Sequence, residues 1–407
     1  MAKSAAPAPN PAEAHASGTK GADVAQKAAA VAKRVAGLRA DLALAHDLVH
    51  QAQVREALTR SELTLALGEA LKARAEAVAG ARRAALAGWA ARAVRPPRPP
   101  GRSAQRLLLR LGVSGEVRLI VDSGLWRGGD LADVSAYVRR RIDPAAAPRA
   151  LFDQAWYLST RPEARTFGHS PFVHYLTRGM AADAAPHPLF DPAFYRRRNA
   201  AELGEASPLS HFVHAGAWQG RDPHPLFDLA HYAAQRPDVA ADEDPVSHYV
   251  RKGWRDGLSP HPLFDPAWYR RQMPNKAAEA APLVHYLTEG WWQGLSPHPL
   301  FDSKWYRKQY EDIAAAALEP LSHYLSGGAA EGRNPSPWFD TAHYVAARGA
   351  SLGEGVNPLV DYLQGGAWDV AESRPGFPTA AYLAQSPELV AQGLTPLEHW
   401  ARKAAKT

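Results

Sequence analysis

Hydrophobic positions in this chain return in step. Between residues 151 and 400 a Phe recurs at Phe152, Phe190, Phe227, Phe264, Phe301, Phe339 and Phe377, at intervals of 37 or 38 residues. A Tyr follows each one five residues on, at Tyr157, Tyr195, Tyr232, Tyr269, Tyr306, Tyr344 and Tyr382. A Pro-x-x-His-aromatic group then repeats from Pro171, Pro208, Pro245, Pro282, Pro320, Pro358 and Pro396, with Asp361 in the His position once. Self-similarity at this period marks an array of supersecondary units, each too small to bury its own apolar face.

The unit predicts two short helices. In six copies an Asp follows the Phe directly (Asp153, Asp191, Asp228, Asp265, Asp302, Asp340), and Asp is a strong N-cap because its carboxylate accepts an orphan helix N–H. Pro192 and Pro266 then suit the first helical position. The second helix opens on the recurring Pro, and Leu209, Phe212 and Val213 show the i, i+3, i+4 spacing of one buried stripe. Glycines follow in pairs: Gly216 and Gly220, Gly253 and Gly257, Gly290 and Gly294, Gly328 and Gly332. The second of each pair reads as the helix stop, and the first as a place inside the helix where a neighbour comes close. Stacked pairs share one core, so the expected fold is all-α: an α-solenoid of seven helix-pair repeats over 151–407, whose last copy lacks the glycines and closes the array.

The pattern changes upstream. Residues 1–22 are rich in Ala, Pro, Ser and Gly without an apolar run, and are expected to be a disordered tail rather than a signal peptide. Over 23–94, Val24, Val31 and Leu38 sit seven apart, as do Val35, Leu42 and Val49, offset by four. That a/d seam predicts a helical hairpin or a coiled coil and offers a route to self-association. Residues 95–106, RPPRPPGRSAQR, form a basic Pro-rich linker. With Arg110 it could touch acidic lipid, a peripheral membrane contact through 95–110. Residues 107–150 read as a degenerate capping region ahead of the array.

Composition narrows function. A net charge of +6 over 407 residues is mildly basic, and no nucleic-acid partner is expected. There is no Cys, which removes disulfides and thiolate metal sites. Seventeen His residues invite a metal reading. Two sets recur once per repeat, though, His174, His211, His248, His285, His323 and His399 in one and His187, His224, His261 and His298 in the other; equivalent positions on stacked helices lie about 10 Å apart, whereas ligands must converge near 2 Å from one ion. The expected role of these His residues is to bond a neighbouring turn or connector. The repeated Asp residues are expected as caps. No phosphate loop, nucleophile elbow or His-Glu-x-x-His group is present, so the chain reads as a non-enzyme without a cofactor. The candidate surface is the set of tryptophans after the first glycine (Trp218, Trp254, Trp291, Trp292, Trp368) with Arg221, Arg251 and Arg255 nearby. These rings either stack on a sugar or a protein partner, or fill gaps between repeats.

FDLAHYAAQRPDVA at 227–240, DPVSHYVRKGWRDG at 244–257 and EPLSHYLSGGAAEGRNPSPWFD at 319–340 resemble a tandem repeat appended to bacterial glycosyltransferases of surface-polysaccharide synthesis, including rhamnan-synthesis-type proteins. The likeness covers about 150–400, and no catalytic domain of that kind accompanies it here. It implies a setting in envelope glycan assembly, in the cytoplasm or at the periphery of the inner membrane. The expected function is a non-catalytic scaffold binding other proteins; the alternative is a glycan-binding accessory module.

Overall fold

The computed structural model describes residues 26–53 except 28 and 32, isolated positions between 73 and 85, residues 114–126, 131–140 and 143, and residues 151–405 except 205, 236–242, 370, 371 and 387. The tail 1–22, the linker 95–106 and most of 54–94 lie outside the described residues. The chain divides into two compact bodies, Met1–Leu67 and Gly68–Thr407.

In the first body the described residues of 26–53 are helical. Val31, Val35, Leu38, Leu42 and Val49, the a/d seam of the sequence, are all exposed. If the seam carries self-association, Leu38→Glu with Leu42→Glu is expected to convert an oligomer to a monomer in sedimentation equilibrium, because each charge would enter a seam that wants apolar side chains. An unchanged mass would remove this helix from the assembly.

The second body is an all-α repeat array. The described residues hold no sheet, only isolated bridges such as His187 with Phe190 in the connectors. The repeat starting at Phe264 shows how the unit is built. The Asp265 carboxylate accepts the Trp268 N–H at 2.9 Å and caps Pro266–Arg270, with Pro at the helix start. The second helix begins at Pro282 and runs to His285 as an α-helix. It then widens into a π-turn over Tyr286–Gly290, closed by Trp291 N–H to Tyr286 C=O at 3.2 Å. Gly294 ends it at φ +76°, the left-handed conformation expected of the second glycine. In the first repeat Asp183 takes that place at φ 47° without being Gly.

Phe264, Tyr269, Leu283 and Tyr286 are at most 1% exposed. Each such aromatic contributes about 2–3 kcal/mol by burial, and the rings meet edge-on, Tyr269 and Tyr286 with centroids 5.7 Å apart. The same core runs through all seven repeats and into Gly115–Asp122 and Leu131–Arg140 ahead of them, through Ile120, Leu125, Val134 and Tyr137.

Two hydrogen bonds tie neighbours. The N–H of the capping Asp donates to a Pro of the connector that leads into the next repeat: Asp191 to Pro223, Asp228 to Pro260 and Asp265 to Pro297, at 2.9–3.0 Å. The second-helix Tyr accepts the second N–H of the following second helix, as Tyr249 does from Leu283 at 3.3 Å and Tyr362 from Leu397 at 3.0 Å. Tyr137 accepts from Phe172 at 3.2 Å in the same manner, so Leu131–Arg140 stands to the first repeat as one repeat stands to the next.

Stacking by itself brings adjacent repeats into contact. The structure adds a return: Arg402 of the last helix, Pro396–Ala404, pairs with Asp265 three repeats back.

Candidate functional site

The recurring polar side chains are absorbed by the repeat itself. Each first-helix Tyr hydroxyl meets the Nδ1 of the His in its own second helix: Tyr157–His174 at 2.9 Å, Tyr195–His211 at 2.8 Å, Tyr232–His248 at 2.7 Å, Tyr269–His285 at 2.8 Å, Tyr306–His323 at 3.0 Å and Tyr382–His399 at 3.0 Å. In the sixth repeat Tyr344 donates to Asp361 at 2.6 Å; a neutral imidazole can accept the same hydroxyl at Nδ1. Burial holds His174, His211, His323 and His399 below the usual His range, which keeps them in that form. Asp361 brings a charge, and Arg348 matches it at 2.8 Å while also reaching Asp369 at 2.9 Å.

This bond explains the first glycine. A Cβ on Gly216 or Gly290 would lie 1.8 Å from the hydroxyl of Tyr195 or Tyr269, and on Gly253 1.9 Å from Tyr232. The close neighbour is the repeat's own Tyr, and the π-turn is the extra residue that lets the helix pass over it.

The connector His residues have a different partner. Nδ1 of His187, His224, His261 and His298 accepts the N–H two residues on, from Leu189, Leu226, Leu263 and Leu300, at 3.0–3.2 Å. They hold the connector turn, as expected from sequence. The expectation for the second-helix His is corrected: its partner is the Tyr of its own repeat, because that residue faces the buried end of the first helix. Among the described residues no group of three His, Asp or Glu is placed to hold a metal.

The tryptophans occupy two registers rather than one. Directly after the glycine, Trp254 and Trp291 are each 6% exposed and lie beneath the next repeat's first helix, where Arg270 stands over Trp254 at 5.7 Å and Arg307 over Trp291 at 5.4 Å. Ala217 and Ala329 are buried at the same register. One residue later the position faces outward: Trp292 is 51% exposed and Arg255 is exposed. Trp218 shares that register but is buried, packed with Ala233 and Ala85. Of the candidate rings, Trp218, Trp254 and Trp291 therefore fill gaps between elements. Arg251 pairs with Glu243 and Arg221 with Glu202, both on the surface.

What remains accessible is an edge. Trp292 stacks on Trp291 with centroids 4.0 Å apart, Arg307 lies 4.9 Å above it, and one repeat earlier Arg255 covers Trp254 at 4.2 Å. Trp368 is half-buried at a separate place, in a cleft with Asp265, His298, Glu398 and Arg402. Sequence reading misses that group, since its members are spread over more than a hundred residues of chain. Only the buried Glu398, standing where other repeats carry Val or Ser before the His, signals it.

No family model, curated protein or solved structure gives a significant match to the chain. Among the described residues no helix is long and apolar enough to cross a membrane.

Proposed function

We propose that the chain is a non-catalytic repeat scaffold that binds other proteins along its outward edge. One observation carries this reading. The side chains that recur and could do chemistry (Asp, Tyr, His) are committed to caps, connector turns and Tyr–His bonds inside each repeat. What varies from repeat to repeat is the outward register, which holds Arg255, Trp292 and Ala330 in successive copies. Constant interior and variable exterior are what a binding array requires. An exposed Trp with flanking Arg is the composition of an interface anchor. The resemblance of the repeat supplies the setting, envelope glycan assembly at the cytoplasmic side of the inner membrane, with the 95–110 segment as a peripheral contact and the 26–53 helix as a means of self-association.

Affinity capture from the native cell, comparing the full chain with its Trp292→Ala/Arg255→Ala variant, tests the reading. The wild type is expected to retain a defined protein set that the variant loses, while far-ultraviolet circular dichroism stays unchanged. A centrally placed Trp anchor is worth about 2 kcal/mol or more at an interface, so the retained amount should fall at least tenfold. Equal retention by both forms would remove this edge from binding, and capture of no protein by either would overturn the scaffold reading.

A further inference from the structure

The return of the last repeat onto the middle of the array borders an open cleft of about 460 Å³, within the size range of small-ligand sites. A second hollow of about 610 Å³, holding Trp268 and Arg271, shares Leu394 and Arg402 with it. The repeat itself provides a control, because whatever the fold needs appears in every copy. Departures from it gather at this cleft. In the sixth repeat the second helix stops at Leu363 instead of continuing through a π-turn, and Gly365 breaks the chain at φ +137°, unlike the other glycines. The break leaves Gln364 exposed and Trp368 half-buried on the cleft wall. In the seventh repeat Glu398 replaces the usual Val or Ser and is 7% exposed. Local rules broken together, at one place, mark sites rather than scaffolding.

A buried donor points into the same space. His298 is 4% exposed and lines the cleft. Its Nδ1 accepts the Leu300 N–H at 3.2 Å, which puts the proton of the neutral ring on Nε2. The nearest charged oxygen, Glu398 Oε1, is 3.7 Å away, beyond hydrogen-bond reach. Glu398 is engaged through the same oxygen by Arg402, whose guanidinium also holds Asp265. The site thus offers a desolvated N–H donor and a fixed carboxylate at its floor, an exposed primary amide at its rim, and an apolar wall of Trp368, Leu363 and Leu394.

We propose that this cleft binds a neutral saccharide of two or three rings. The Trp and Leu wall suits the C–H face of a pyranose, and the floor and rim suit its hydroxyls, which both donate and accept. Charge disfavours small anions and cations. Two carboxylates face one guanidinium, so a phosphate or uronate is repelled, and Arg402 already engages both carboxylates, so a cation finds neither free. The proposal is independent of protein binding at the Trp292 edge.

The test is isothermal titration of the full chain with maltose, cellobiose and N,N′-diacetylchitobiose, their trisaccharides, and digalacturonic acid as the anionic probe. At least one neutral probe is expected to bind in the millimolar range or tighter, and digalacturonic acid not to bind. Gln364→Ala, at an exposed position, and Glu398→Gln, which keeps shape, should each weaken binding by about tenfold, while Trp292→Ala, outside the cleft, leaves it unchanged. The proposal is overturned if no neutral probe binds at tens of millimolar, if the acidic probe binds best, or if Gln364→Ala and Trp368→Ala bind as the wild type does.

Discussion

Gly290→Ala is expected to destabilise the array by about 3–5 kcal/mol, from overpacking together with loss of a buried hydrogen bond. The added Cβ would sit 1.8 Å from Tyr269 Oη, 3.0 Å from its Cζ and 3.3 Å from His285 Nδ1. None of these is a flexible tip that can swing aside. The Tyr269 ring is fully buried between Phe264 and Tyr286, and its hydroxyl is held by His285 at 2.8 Å. Either the ring withdraws and leaves a buried hydroxyl and imidazole unmatched, or the π-turn closes and shifts every contact to the next repeat. Gly294→Ala is the control. It meets only the Lys304 side chain, at 3.3 Å, and its φ of +76° makes it cost about 1–2 kcal/mol as left-handed strain. Urea melts of the two variants should therefore differ by at least 1 kcal/mol, in that order. Tyr269→Phe in the Gly290→Ala background removes the atom in conflict and should recover part of the loss, a coupling that a double-mutant cycle reads directly. Equal melts for the two glycine variants would mean that the Tyr–His–Gly contact does not organise the repeat.

Mild acid, between pH 7 and 5, is expected to destabilise the array through its buried histidines. Burial pushes His187 and His224 down to about 4, against a usual value of 6.5. A His with a lowered folded pKa contributes stability that is complete above the unfolded pKa and is lost as pH falls toward the folded one. Geometry gives the same sign, because Nδ1 of each accepts a backbone N–H, and a proton there would set two donors against each other. Asp222 works in the opposite sense: burial and the nearby Asp228 raise it to about 7, so lowering the pH favours its folded form. Glu319, raised by burial, has the same sign as Asp222. The two His residues less Asp222 leave a net loss on the order of 2 kcal/mol between pH 7 and 5. His174, His211, His298, His323 and His399, all lowered by burial, add to it. Thermal melts followed from pH 7.5 to 4.5 should show Tm falling steadily below pH 6.5. Ser336 shows the remedy, since its hydroxyl accepts the Trp338 N–H at 3.3 Å where other repeats use His. His187→Asn with His224→Asn should keep the turn and flatten the dependence. A Tm that does not change over this range would contradict neutral, acceptor-type histidines.

Much of the repeat was legible because its signals are local. Asp as cap, Pro at the first helical position and Gly at the stop each act within a few residues, and all appear where the spacing places them. The Tyr–His bond was half legible: both residues recur in register, but a separation of 16 or 17 residues does not say which face each presents. The tryptophans were the least legible. A shift of one residue after the glycine separates the covered Trp291 from the exposed Trp292, and which register is covered depends on the next repeat's first helix, Arg270 and Arg307 included.

The sequence by itself determined the period, the helix pair, the caps and the stops, because these depend on backbone preferences and on neighbours within one unit. Tertiary structure alone decided the π-turn over the Tyr hydroxyl and the meeting of Asp265 with Arg402 and Glu398. The first follows from steric exclusion between two helices, the second from the return of the last helix onto the fourth repeat. Neither is written in any single unit: each arises only when the units are stacked.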